Sequence, residues 1–161
     1  MADGDNHRVR KVDTATGDVD TLAGTGAVGR ADGHRGHGQL FFPSGVASSH
    51  SGKYLYIADT WNFRIRAIDV RPGAMYGFLT TVAGQGTMGY ADGSRRNAQF
   101  NLPRGVAVSM DGATLYVADT GNHRSCTPAS TTASMAALCA AECDEPSFIA
   151  SSTVTESTMR G

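Results

Sequence analysis

Short runs of alternating apolar and polar residues, each four to seven long, are spaced along the first 124 positions. KYLYIAD (residues 53–59) alternates Leu55 and Ile57 with Tyr54, Tyr56 and Ala58, the period-two pattern of a β-strand. FRIRAID (63–69) and LTTVAG (79–84) read as further strands, and a short run around 45–48 reads as another. Ser-Gly at 51–52 and Asp-Gly at 111–112 mark tight turns. Between the second and third strands, Asp59-Thr60-Trp61-Asn62 places Asx residues at both ends of a turn, where they can bond their own backbone. No apolar period of 3.6 appears in this region, so the predicted unit is four strands with no helix.

The unit repeats. TLAGTGAVGRADGHRGHGQLFFPSGVA (21–47) returns sixty residues later as TVAGQGTMGYADGSRRNAQFNLPRGVA (81–107), without a gap. YLYIADTWNFR (54–64) returns as TLYVADTGNHR (114–124), and ADGDNHR (2–8) is a third copy of that piece. Repetition also settles GTGAVG (24–29), which has the spacing of a dinucleotide-binding fingerprint. That fingerprint works only where a helix follows the glycines and meets the phosphate. Here both copies, GTGAVG and GQGTMG, run on into polar sequence and then toward Pro43 or Pro103, so both read as long connections between strands.

Four short strands per repeat, each unit burying its faces against its neighbours, is the pattern of a β-propeller blade. YIADTWNFRIRAID, YVADTGNHR and ADGDNHRVRKVD resemble the NHL repeat, named for an Asn-His-Leu after the Asp-x-x segment. Two copies carry Asn-His-Arg (Asn6-His7-Arg8 and Asn122-His123-Arg124), and the middle one carries Asn-Phe-Arg. The expected fold is therefore all-β: a propeller segment of four-stranded antiparallel blades that does not close a ring. Residues 1–24 form a half blade of two strands, 43–84 a full blade and 103–124 a second half blade, joined by long loops at 24–42 and 84–102. Residues 125–161 form a low-complexity tail, with a short helix over 131–143 and a disordered end.

Eight strands make two blades' worth of material, whereas propellers close with about four to eight blades. The chain is accordingly expected to be a fragment of a larger propeller. Pairing of half blades between copies, as a homo-oligomer completing the ring, is an alternative; a divergent, partly disordered arc is another.

Charge is nearly balanced, with 14 basic and 15 acidic residues, so nothing global calls for nucleic acid or an anionic membrane. No signal peptide or membrane span is evident, which reads as a soluble chain of unknown compartment. The three cysteines, Cys126, Cys139 and Cys143, make no disulfide framework.

Candidate chemistry follows from comparing the copies. Positions that agree are read as serving turns and strand ends: Asn6, Asp32, Asp59, Asn62, Asp92, Asp119 and Asn122 form the repeat signature. Asp32 and Asp92, each before a glycine, are read as turn formers rather than calcium ligands. Positions that differ are free to serve a ligand. Trp61 stands where Asp5 and Gly121 stand, Tyr90 replaces Arg30, Arg104 replaces Ser44, and His34 and His37 face Ser94 and Asn97. These six (Arg30, His34, His37, Trp61, Tyr90 and Arg104) are the candidate binding residues of one loop face.

The histidines do not recur as a metal set, no nucleophile-base set stands out, and no cofactor is called for. The resemblance implies a non-catalytic, protein-binding scaffold. Part of a propeller enzyme (a lactonase-like hydrolase or an amidating-lyase-like one) and an RNA-binding domain are the alternatives. RNA would call for a basic face with stacking aromatics.

Overall fold

The computed structural model describes residues 1–126. They form three antiparallel sheets side by side. The first holds β1 (Ala2–Asp3), β2 (Arg8–Val12) and β3 (Val19–Ala23). The second holds β4 (Pro43–Ser48), β5 (Tyr54–Asp59), β6 (Arg64–Asp69) and β7 (Leu79–Ala83), in that order. The third holds β8 (Pro103–Val108), β9 (Leu115–Asp119) and β10 (Arg124–Cys126). A single 3-10 turn, Thr60–Asn62 or Thr120–Asn122, bridges the second and third strands of the two later sheets. Each flanking sheet has three strands, not the two read from sequence. The extra strands, β1 and β10, pair over only two and three residues, too few for an alternating pattern to register.

Alternation within β5 explains how the middle blade is held on both faces. Ile57 belongs to an apolar seam with Val9, Leu22, Leu40, Ile68 and Leu79, between the first and second sheets. Its neighbour Ala58 points the other way, into a seam with Ile65, Ala83, Phe100, Leu115 and Val117. Each fully buried aliphatic side chain contributes about 1.5–3 kcal/mol relative to exposure. Leu40 and Phe100, at equivalent positions of the two long connections, plug the two seams, so the connections belong to the core.

Register breaks recur at equivalent places: between Val9 and Arg10 and between Ile65 and Arg66, and again just after Pro43 and Pro103. All four lie toward the end of the blade that carries the Asp-x-x-Asn turns. That end is called the rim here. The predicted helix over 131–143, with Cys139, Cys143 and the disordered end, lies outside the described residues. No helix among the described residues is long and apolar enough to cross a membrane.

Candidate functional site

The rim is organised by one clamp used twice, with its Asp–Asn bond alone repeated in the first sheet. Asp59, fully buried, accepts from the Phe41 backbone N–H through Oδ1 (2.8 Å) and from Asn62 Nδ2 through Oδ2 (2.8 Å). Asn62 also donates to the carbonyl of Gly29 at 2.6 Å. One blade on, Asp119 accepts from Asn101 N (2.7 Å) and from Asn122 (2.6 Å), and Asn122 donates to Gly89 O (2.8 Å). Asn6 donates to Asp3 at 2.9 Å in the first sheet. The Asx side chains therefore close each turn by bonding one another, and not their own backbone as the sequence reading expected. In the second and third sheets they also reach across to the connection that precedes the blade, because that connection carries buried N–H and C=O groups with no strand partner.

The fingerprint glycines are explained by what a Cβ would strike. At Gly24 and Gly84 it would lie 2.3 Å and 2.5 Å from the carbonyl oxygens of His7 and Phe63. At Gly26 and Gly86 it would enter the Arg8 and Arg64 guanidinium groups, which donate to Thr25 O and Gln85 O. At Gly29 and Gly89 it would overlap the side chains of Gln39 and Gln99. The spacing that looks like a phosphate loop is a packing requirement.

Buried charge pins the connection more firmly still. Arg66, with no exposed surface, donates to Asp59 at 2.7 Å and to Asp32 at 2.6 Å, and to the carbonyls of Gln39 and Ala31. Asp32 also accepts from the backbone N–H (3.1 Å) and hydroxyl (3.0 Å) of Thr81. Asp32 is thus an ion-pair partner and strand clamp, not a turn former. Burial pushes the Asp59 carboxyl above its ordinary value, with the Arg66 guanidinium and the Phe41, Asn62 and Arg66 hydrogen bonds pulling it back. Arg66 was not singled out from sequence, although Arg10, at the equivalent position, faces Asp3 (3.4 Å) and supplied a signal.

The family follows from this turn. A model of the NHL repeat matches residues 100–124, which hold Asn101, Asp119 and Asn122. The chain belongs to the NHL-repeat family. It is 33% identical over 132 residues to NHL repeat-containing protein 2 of Homo sapiens, covering 77% of this chain and 18% of that protein. It is 42% identical over 130 residues to the protein SUPPRESSOR OF QUENCHING 1, chloroplastic, of Arabidopsis thaliana, covering 76% of this chain and 12% of that one. The chain therefore spans less than a fifth of the length of these relatives. Among solved structures, it matches an auxiliary nutrient binding protein from Bacteroides thetaiotaomicron with TM-score 0.62 and 26% identity, over 76% of this chain and 32% of that one. A Bacteroides thetaiotaomicron protein of unknown function matches with TM-score 0.65 and 25% identity, over 78% and 30% of the two chains.

Within this NHL frame the six variable residues separate. Trp61 stands at the rim with 48% of its surface exposed. Its backbone N–H donates to Phe41 O, and its indole stacks on the Phe41 ring at 5.8 Å between centroids. His7 meets Phe41 edge-on at 5.6 Å and accepts from Phe42 N through Nδ1. His7, Phe41 and Trp61 thus form an aromatic row. The next blade has Asn101 and Gly121 in place of Phe41 and Trp61, and makes no such row.

Arg30 and Tyr90, both exposed, follow the clamped Gly29 and Gly89, and Arg104 is exposed at the start of β8. His34 and His37 lie elsewhere. The middle of the 24–42 connection leaves the rim and runs down the seam, where Gly33 exchanges backbone hydrogen bonds with Leu79 (3.0 and 2.8 Å). His34 there packs edge-on against Phe78 at 4.9 Å, beside the far end of β7. The loop face expected from sequence is therefore divided, because Asp32 and Arg66 draw the connection down the side of the blade. No group of three or more His, Cys, Asp or Glu side chains placed to hold a metal ion occurs among the described residues.

Proposed function

We propose that this NHL segment is a non-catalytic interaction module that binds a protein partner through its rim. The observation that carries this reading is the aromatic row His7–Phe41–Trp61. Conserving the clamp does not require it, since the third blade holds the same clamp with Asn101 and Gly121. A half-exposed indole held on a rigid turn is the type of group that anchors interfaces. The similar auxiliary nutrient binding protein also points toward binding as a use of this architecture.

A second contact is supported by the third sheet. Tyr116 is 40% exposed and Ala118 exposed, whereas their counterparts Tyr56 and Ala58 pack in the seam against the next blade. That face suits a further blade, including one from a second copy of this chain.

Site-specific photocrosslinking tests the rim. A benzoylphenylalanine at position 61 is expected to give discrete protein adducts in a cell extract. The same group at Met110, on the opposite end of the blade, gives none. Equal adducts from both positions, or none from 61, would overturn the reading.

A further inference from the structure

Resting on that reading of the rim, we propose that the second blade's turn takes an acidic peptide segment carrying one aromatic or aliphatic anchor, with acids on both sides of it. Trp61 is flanked by two residues that each reach a different neighbouring segment. Thr60 Oγ1 donates to Pro103 O at 2.7 Å, and Pro103 is followed by Arg104. Asn62 Nδ2 donates to Gly29 O at 2.6 Å, and Gly29 is followed by Arg30. The clamp thus sets an exposed arginine on either side of the exposed indole. Neither Arg30 nor Arg104 has a carboxylate within ion-pair distance among the described residues.

The nearby acids are already committed. Asp32 and Asp59 both pair with Arg66. Arg64, half-buried beside this turn, has its pKa lowered first by burial and then by the charges of Arg66 and Arg30, against the opposing charges of Asp32 and Asp59. Asp5 is an exposed acid of the neighbouring turn. The combination occurs once in the described repeats. At the equivalents of Arg30, Trp61 and Arg104, other copies have Tyr90, then Asp5 or Gly121, and Ser44.

A single strand of nucleic acid also stacks on aromatics, but it needs a longer cationic track. Arg95, the next candidate for such a track, donates instead to the carbonyls of Val82 and Thr81. Two free cations flanking one apolar step fit a short acidic peptide better.

The test uses the full chain against a displayed library of random 12-residue peptides, followed by anisotropy with the selected peptides and with a 12-nucleotide oligouridylate. Selected peptides are expected to carry an aromatic or aliphatic residue flanked by Asp or Glu. Trp61→Ala should weaken them by about tenfold or more, a loss of the size seen for an anchor residue. Arg30→Glu and Arg104→Glu should each weaken them several-fold, and Trp61→Phe should retain most of the affinity. Unchanged far-UV spectra and melting of the arginine variants separate loss of binding from loss of fold. Basic or uncharged peptides that still depend on Trp61 would overturn the acidic class and leave the interaction module standing. Absence of any Trp61-dependent peptide would overturn both. Oligouridylate binding that depends on Trp61 and Arg104, with a steep salt dependence, would assign the surface to nucleic acid instead.

Discussion

Replacing Arg66 by methionine removes both of its ion pairs and two backbone contacts while nearly preserving side-chain volume. Asp32 is 45% exposed at its side chain, so water takes over its charge. Asp59 has no exposed surface and keeps only the Phe41 N–H and Asn62 as donors. Stranding one partner of a buried pair costs about 3–5 kcal/mol. At about 4 °C per kcal/mol for a domain of this size, the melting temperature should fall by about 10–20 °C. Adding Asp59→Asn to Arg66→Met removes the stranded charge and should recover part of the loss. The deficit of the single variant also depends on pH in a defined direction. Burial already raises the Asp59 carboxyl, and loss of Arg66 raises it further, so the native variant binds a proton more readily than its unfolded chain. Its deficit should therefore be largest above that raised value, and shrink as pH falls through it toward the ordinary carboxyl range. Thermal unfolding followed by circular dichroism and by the chain's one tryptophan, Trp61, measures all three effects. A loss of less than about 1 kcal/mol for Arg66→Met, or a double variant no better than the single one, would refute the argument.

Gly24→Ala should cost well over the ~1–2 kcal/mol of a left-handed alanine, since φ is +93° and the new Cβ would strike His7 O; Gly17→Ala, at φ +81° in open space, should cost only that backbone penalty in urea titrations. Hydrogen bonds from the Arg71 side chain and backbone, with its charge, hold the Asp69 carboxyl below its ordinary value. The stability this gives is complete above the ordinary carboxyl range and lost as pH falls through the depressed value, so Arg71→Met should move the acid-unfolding midpoint to higher pH. Light scattering of the chain should show association that rises with concentration and is reduced by Tyr116→Glu; a concentration-independent monomer mass would remove the case for blade-to-blade contact between copies.

The blade was legible because its signals are local or periodic: alternation in KYLYIAD, Asx turns, and a linker that returns sixty residues later. What escaped the reading depends on contacts between distant positions. The partners of Asp59 and Asn62 lie 18 and 33 residues upstream, and nothing near the turn identifies them. Arg66 sits in a strand whose alternation treats a charged residue as solvent-facing, so only its recurrence as Arg10 hinted at a buried role. His34 and His37 looked like rim residues because a loop's route cannot be read from its length. Trp61 was legible as an oddity among copies, but its stacking on Phe41 was not.

The pinning of each connection to the blade that comes after it sets an order of events during synthesis. The first seam needs Asp32 to meet Arg66 and Thr81, which lie 34 and 49 residues further along the chain. While the chain emerges from the ribosome, β2 and β3 can pair at once and offer Leu40 half of its seam, but Asp32 has nowhere to dock until β6 and β7 are outside. Each blade therefore finishes its predecessor. A chain stalled between residues 42 and 64 presents a connection whose plug is half covered and whose acid is unpaired, and that is the interval in which a chaperone has the most to hold.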